Sequence, residues 1–342
     1  MACSPVVSVI ILNWNGKRYL SACLDSLRAQ TLRDVEVIVV DNGSVDGSVE
    51  FIETHYGDRV HLIALPQNRG FAGGNNVGIG QARGRYVALL NNDIEAHPEW
   101  LANLVSCMEH GPQIGMVGSK VLNFCRRDEI DNTGHLMYPD GLNRGRGRLE
   151  RDTGQYDGQR EILFPSGCAA LYRRKMLEEI GGFDETFFAY GDDADIGLHG
   201  RLLGYDAVFC PEAVVYHRYS GTVGSYSAMK AFHVERNRIW ILLKYFPVSS
   251  IVTSPFYTLA RFALHAYGIF TGRGAAGRFA TNASIGRLVR TILRAYASAI
   301  RGLPGVLRRR KRIVRHRKLT GGEFRKLLVQ HRISCREIAL KD

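Results

Sequence analysis

Two hydrophobic rhythms alternate along the first 120 residues. "VVSVIIL" (6–12) is a nearly continuous apolar run, the pattern of a strand covered on both faces. Residues 17–29 then set Tyr19, Leu20, Cys23, Leu24 and Leu27 at helical spacing. "VEVIVVD" (35–41) predicts a second buried strand, and "GSVDGSVEFIETHY" opens a helix with Ser44 or Asp46 as its cap. A third strand, "VHLIAL" (60–65), precedes the glycine-rich helix "GFAGGNNVGIGQA". "RYVALL" (85–90) is the fourth strand, and Pro98 starts a helix to about Met108. Such alternation predicts an α/β fold, with a mostly parallel, doubly wound, Rossmann-like sheet flanked by helices. Ligands in that architecture sit at the carboxyl ends of the strands.

All four strand ends are polar. They run into Asn13-Trp14-Asn15-Gly16, Asp41-Asn42-Gly43-Ser44, Gln67-Asn68-Arg69-Gly70 and Asn91-Asn92-Asp93. Polar side chains at the end of a buried strand need water, a partner or a ligand. Four such clusters at equivalent places predict a site along one edge of the sheet.

Beyond them the rhythm breaks. Residues 122–160 are rich in Gly, Asp and Arg with weak periodicity, which predicts an irregular excursion or β-hairpins beside that edge. "FPSGCAALYRRKMLEEIGGFDE" returns to strand, helix and a Gly-Gly stop. "GDDADIGLHGRLLGY" predicts a helix from about Asp192 ended by Gly204, and "AVFCPEAVVYHRYS" two short strands ending at His217.

Composition narrows the class. Of 342 residues, 45% are hydrophobic and 23% charged, enough apolar material for a packed core and against global disorder. The seven cysteines are scattered and form no C-x-x-C pair, which argues against a zinc ribbon or a secreted disulfide framework and fits a reducing cytosol. The N-terminal apolar run is short and lacks a basic flank, as expected of a strand and not of a signal peptide. Charge is divided unevenly. Residues 1–220 hold 21 Lys+Arg against 29 Asp+Glu, a net −8, while residues 221–342 hold 24 against 4, a net +20. A tail of that charge calls for a polyanionic partner, nucleic acid or anionic lipid.

A polar sheet edge with acidic residues suits a nucleoside diphosphate and a divalent cation, because the phosphates need charge neutralisation. Asp93 and His217, each just past a strand, are the candidate ligands, and a carboxylate with an imidazole suits Mn2+ better than Ca2+. Taken alone, Asp93 fits a turn equally well, and His217 fits a polar strand end. Asp192, Asp193 and Asp195 at a helix start are favoured by its dipole. The functional alternative turns Asp193 into the site as a general base.

Six stretches then carry a specific resemblance: "VSVIILNWNG", "VIVVDNGSVDGS", "NRGFAGGNN", "LLNNDIEAHPEWL", "GGFDETFFAYGDDADIGLHGRLLGY" and "VVYHRYSGT". In that order, over roughly residues 5–225, the chain resembles a family-2 inverting glycosyltransferase of GT-A fold, of the rhamnosyltransferase-like kind that builds polysaccharides. The resemblance implies that Asn13 and Asn15 lie near the nucleobase of a nucleotide-sugar donor. Asp41, Gly43 and Ser44 would hold base and ribose. Asn68, Arg69, Gly70 and Asn75 would line the nucleotide pocket, with Arg69 also in reach of phosphate. Asn91, Asn92 and Asp93 occupy the family's D-x-D position; Asp93 matches its metal-binding Asp, and Asn91 stands where the first Asp often is. Asp193, second of the Asp192-Asp193 pair, matches the base, and His217 a histidine that completes the metal shell. The implied cation is Mn2+ or Mg2+, the donor dTDP-rhamnose or a UDP-sugar, and the acceptor a glycan or polyprenyl-linked glycan.

Two other classes weigh against this reading. An enzyme that makes nucleotide sugars would want a glycine-rich, basic triphosphate loop near the first strand, which "LNWNGKRYL" matches poorly. A non-catalytic scaffold that binds nucleotide sugars would have no use for Asp93, Asp193 and His217 together.

The tail has its own pattern. Residues 239–272 are strongly apolar, but Lys244 and Arg261 bracket the longest uncharged stretch, and Pro247 and Pro255 interrupt it. A spanning helix needs about 20 consecutive apolar residues, so a membrane-surface or re-entrant element is expected. Over 285–303, Ile285, Leu288, Val289, Ile292, Tyr296, Ile300 and Leu303 share one helical face, with Arg287, Arg290, Arg294 and Arg301 opposite. With "RRRKRIVRHRK" (308–318), this predicts a helix lying on an anionic bilayer. Nucleic acid is disfavoured as partner, since the tail shows neither aromatic interleaving nor a recognisable module. The expected organisation is a catalytic domain over 1–225 and a basic, helical, membrane-associating region over 226–342, in the cytoplasm on the inner face of the cell membrane.

Overall fold

The computed structural model describes residues 4–218, 227–272 and 285–341. They divide into two units. The first holds residues 4–134, 145–201 and 205–218, and the second 135–144, 202–204 and 227–341. A short piece of the expected excursion, residues 135–144, therefore belongs with the basic tail.

The first unit opens as β1 (Val7–Asn13), α1 (Lys17–Arg28), β2 (Val35–Asp41), α2 (Ser48–Tyr56), β3 (His61–Ala64), α3 (Gly70–Gln81) and β4 (Tyr86–Asn91). It continues with β5 (Ile94–Ala96), α4 (Trp100–Glu109), β6 (Ile114–Asn123) and β7 (Ile130–Asn132). In the second unit β8 (His135–Met137) pairs with β9 (Asn143–Gly145), whose last residue returns to the first. There β10 (Ala169–Arg173), α5 (Arg174–Ile180), α6 (Asp192–Leu202) and β11 (Asp206–His217) follow.

The main sheet runs β3-β2-β1-β4-β10-β6-β11-β5, with β7 on β6. Its first four strands are parallel neighbours, as the apolar runs lead one to expect. β10 enters antiparallel between β4 and β6, and β5 is antiparallel to β11, so the sheet as a whole is mixed. The register matters most: Asn13 pairs with Asp41, and Leu12 with Asn91, which brings the polar ends of β1, β2 and β4 level. Beneath them Val9, Ile11, Leu20, Val39, Ala88, Trp100 and Leu104 have no exposed surface. Each large aliphatic side chain so buried contributes about 1.5–3 kcal/mol, which holds the strand ends in place.

Two local expectations change. The cap of α2 is Gly47 at φ 79, while the Asp46 carboxylate accepts N–H bonds from Lys17 and Ser48. The segment ending at His217 is one strand, not two. Its register on β6 jumps between Cys210 and Val214, a bulge that accommodates Pro211, which cannot donate to a ladder.

Apart from the β8–β9 pair, the regular structure of the second unit is helical: α7 (Ala228–Tyr245), α8 (Val248–Thr271), α9 (Ile285–His316), α10 (Gly321–Gln330) and α11 (Cys335–Leu340). Pro247 separates α7 from α8, and Pro255 lies inside α8. α9 does not present the single apolar face expected of it. It buries the line Ala295, Ala299, Val306 and Ile313, leaving Val289, Leu293, Ile300 and Leu307 exposed. Gly302 allows the close approach, because a Cβ there would lie 2.5 Å from the Trp240 ring, and Trp240 Nε1 donates to the Ala299 carbonyl at 3.2 Å. One arginine of the basic run is structural: Arg310 donates to the carbonyls of Leu243 and Phe246 at 2.9 and 2.8 Å, closing the end of α7. Among the described residues no helix is long and apolar enough to cross a membrane.

Candidate active site

The level strand ends of β4, β1 and β2 are tied by a continuous polar chain. Asn92 Nδ2 donates to Asn13 Oδ1 at 2.7 Å, and Asn13 Nδ2 to Asp41 Oδ2 at 2.8 Å. Asp41 Oδ1 accepts from Ser44 N at 2.8 Å, and Ser44 Oγ accepts from Asn15 N at 2.8 Å. Asn13, Asp41 and Asn92 are buried, so each bond satisfies a group that would otherwise cost free energy. The turn after β1 depends on Gly16, where a Cβ would lie 2.0 Å from Asn92 Nδ2.

The third polar cluster joins through Asn42. Its Oδ1 accepts from Arg69 N at 2.9 Å, and its Nδ2 donates to Asn68 Oδ1 at 3.0 Å and to the Gly70 carbonyl at 3.1 Å. Gly43 and Gly70 adopt φ 77 and 75, a region that favours glycine. Two further side chains of this cluster have partners within the chain. The Arg69 guanidinium, itself partly exposed, pairs with exposed Glu185 at 3.0 Å. Asn75 is buried and donates back to Phe71 O in its own helix at 2.9 Å.

Asp93 and His217 meet because β5 pairs with β11 at Ile94↔His217. Their Oδ1 and Nε2 lie 3.3 Å apart, both side chains are buried, and Asp93 Oδ1 has no hydrogen bond of good geometry. The other ring nitrogen, Nδ1, is 2.7 Å from Asp131 Oδ2, and Arg148 Nη1 is 2.8 Å from Asp131 Oδ1. Burial disfavours a charged imidazole, but the Asp131 and Asp93 carboxylates outweigh it and hold the His217 pKa well above its ordinary value. A buried, unsatisfied carboxylate oxygen facing an imidazole nitrogen is a donor pair that fits Mn2+ or Mg2+.

The segment before β10 connects this corner to the second acidic group. Asn91 N donates to the Cys168 carbonyl at 2.8 Å. Burial pushes the Cys168 thiol up to about 11, with the nearby Asp131 and Asp93 charges adding to it and His217 opposing it. At the preceding residue, Gly167, a Cβ would lie 3.5 Å from Asp193 Cβ. Adjacent residues thus lie near Asp193 and within electrostatic reach of Asp93. Asp193 is half-buried and its Oδ1 accepts from Ala194 N at 2.8 Å. Asp192 is buried, its Oδ1 has no hydrogen-bond partner, and burial together with Asp193 and Asp195 raises its pKa well above the ordinary value. Phe188 and Tyr190, just upstream, both hold φ 66, a left-handed conformation that costs a non-glycine residue about 1–3 kcal/mol.

Asn42, Asp131, Arg148 and the Gly167–Cys168 pair escape sequence reasoning. Asn42 stood within a cluster already noted; Asp131 and Arg148 lie in a stretch without periodicity, where no pattern says which way a side chain points, and Gly167 and Cys168 just precede a strand.

The profile of glycosyl transferase family 2 matches residues 8–181. An uncharacterized glycosyltransferase of Rickettsia prowazekii is 28% identical over 193 residues, 56% of this chain and 58% of that one. The N-acetylglucosaminyl-diphospho-decaprenol L-rhamnosyltransferase of Mycobacterium tuberculosis is 25% identical over 251 residues, 65% of this chain and 78% of that one. Among solved structures, the mannosyltransferase PcManGT from Pyrobaculum calidifontis, in complex with GDP-Man and Mn2+, aligns with a TM-score of 0.52. It shares 19% identity over 88% of this chain and 87% of that one, a likeness of fold, the expected GT-A type. The chain spans 25% to 58% of the length of the first curated relatives it matches. The profile runs from β1 to the end of α5 and takes in all four polar strand ends, and on that span the chain belongs to glycosyl transferase family 2.

Proposed function

We propose that the protein moves a sugar from a nucleoside-diphosphate sugar, dTDP-rhamnose or a UDP-sugar, to a hydroxyl of a glycan or lipid-linked glycan, with inversion and with a divalent cation. The observation that carries the reading is the Asp93–His217 pair at the polar sheet edge, with Asp193 reached through Gly167 and Cys168. Asp93 and His217 would hold the cation. When bound, it supplies the positive charge that offsets the developing charge on the departing diphosphate. Asn13, Asn15, Asp41, Gly43 and Ser44 would seat base and ribose, and Asn68, Arg69, Gly70, Asn75, Asn91 and Asn92 the rest of the nucleotide. Asp193 takes the acceptor proton as the new glycosidic bond forms. Its neighbour Asp192 is too deeply buried for that role.

Asp193→Asn is expected to abolish transfer while leaving the affinity for UDP or dTDP unchanged. Loss of nucleotide affinity together with activity would assign Asp193 a structural part and refute the proposal for it. Thermal shifts with UDP, dTDP and GDP, with and without Mn2+, identify the nucleotide.

The second unit supports an acceptor at a bilayer. Val248, Val252, Phe256, Leu259, Tyr267 and Phe270 are exposed on α8, whose one cationic side chain, Arg261, is buried. Residues 221–342 carry a net +20. Apolar side chains beside so much positive charge suit the anionic inner face of a cell membrane, and with it a polyprenyl-linked acceptor. The full chain should co-sediment with phosphatidylglycerol-containing vesicles and release in salt. Equal recovery with purely zwitterionic vesicles, or none with either, would refute this part.

A further inference from the structure

The structure assigns Asp131 a role as the positioning residue for His217, holding the imidazole so that Nε2 presents its lone pair to a cation beside Asp93. The inference rests on the cation reading of Asp93 and His217, and it concerns a residue outside that pair. It begins with strand order. β7 and β11 both lie against β6, where Leu122 pairs with Ile130 and with Tyr216. That arrangement brings Asp131 and His217 side by side although 86 residues separate them.

An imidazole can give a metal only one nitrogen at a time, and the other must carry the proton. Here Nδ1 lies 2.7 Å from Asp131 Oδ2, and Nε2 lies 3.3 Å from Asp93 Oδ1. A proton on Nδ1 therefore has a carboxylate to receive its hydrogen bond, and Nε2 is the nitrogen that faces Asp93, where a bound cation would take the place of its proton. The partner carboxylate also makes the ring a stronger donor. Asp131 is itself held, since Arg148 Nη1 binds its second oxygen at 2.8 Å. The side chains of Arg148, Asp131, His217 and Asp93 are 19%, 13%, 9% and 7% exposed, so the series is shielded from competing water. A carboxylate that served only to anchor the excursion would have no need to meet the nitrogen opposite Asp93.

The test measures Mn2+ binding to the full chain, by the electron paramagnetic resonance of free Mn2+, and the nitrogen modulation of bound Mn2+ by electron spin echo. Wild type should bind Mn2+ with a nitrogen signature that His217→Ala removes. Asp131→Ala should weaken Mn2+ by about 10- to 100-fold and diminish that signature. Asp131→Asn, which keeps an acceptor but no charge, should fall between. Arg148→Met should weaken Mn2+ in the same direction, and it carries the test with Asp131→Asn if the alanine variant does not fold. Mn2+ affinity within twofold of wild type and an undiminished nitrogen signature in Asp131→Ala would overturn the inference and leave the cation pair standing. A wild type that shows no nitrogen signature, or a His217→Ala that leaves it unchanged, would overturn the cation reading and this inference together.

Discussion

Arg261→Met should destabilise the second unit by several kcal/mol. Arg261 and Asp140 are wholly buried, and Glu235 nearly so. Arg261 Nε binds Asp140 Oδ2 at 2.7 Å, and its two terminal nitrogens bind the Glu235 oxygens at 2.7 and 3.2 Å. Arg238 Nε completes the set on Glu235 Oε2 at 2.7 Å. Two guanidinium groups thus balance two carboxylates. Methionine fills much of the arginine's space but leaves the Asp140 carboxylate with the Leu142 N–H at 3.2 Å, the Thr258 hydroxyl at 3.3 Å and Arg238 at 3.7 Å. Breaking one side of such a buried pair costs about 3–5 kcal/mol, because the remaining charge loses its partner and stays out of water. For a domain of this scale that is a melting shift on the order of 10 °C. Hydrogen exchange of the α8 amides reads the change in this unit directly. Adding Glu235→Gln to Arg261→Met should return part of the loss, since an uncharged partner no longer needs the guanidinium. A single variant that costs less than about 1 kcal/mol would refute the view that this network holds α8 with its one cation turned inward.

The same unit should be acid-sensitive in two stages. Burial, and secondarily Arg261, hold His265 at about 4 against an ordinary 6.5. The unfolded chain therefore takes up the proton first, and stability should fall by about 3 kcal/mol between pH 6.5 and 4. Burial opposes ionisation of Glu235, but Arg261 and Arg238 outweigh it and hold the group at about 2. Its contribution is complete above about pH 4.5 and is lost as pH falls toward 2. Urea unfolding across pH should show both stages, His265→Phe should remove the first, and a flat profile would contradict both. In the first unit, Asp192→Asn should raise stability near neutral pH, because a carboxyl with a raised folded-state pKa loses stability as pH rises; a lower melting temperature would count against it. Gly70→Ala should lower the melting temperature and weaken binding of whichever nucleoside diphosphate stabilises the wild type, since φ is 75 and a Cβ would sit 2.3 Å from the Phe188 carbonyl oxygen; wild-type values for both would refute the strain.

Legibility followed the length scale of each constraint. The four parallel strands were readable because a run such as "VEVIVVD" is apolar on both faces, and only a doubly covered strand accommodates it. Their polar ends then fell level by register alone, and Asn13, Asp41 and Asn92 were found together. The other half of the sheet was not readable in this way. The five residues of β10 satisfy either strand direction, and its antiparallel entry between β4 and β6 depends on partners distant in sequence. β11 looked like two strands because Pro211 normally ends one, and the bulge that rescues it needs β6 beside it. Asp131 is the sharpest case, for "EIDNTG" carries no period that says which side chain turns inward. Only the joint packing of β7 and β11 on β6 brings its carboxylate to His217. The helical wheel of α9 misled for the opposite reason. It ranks positions by apolarity, while close packing on Trp240 selects smallness, so Ala295, Ala299 and Gly302 went inward and larger apolar residues stayed outside. What leaves Val289, Leu293 and Ile300 exposed is therefore the demand of the α7 contact, which takes the small residues and leaves the larger apolar ones over.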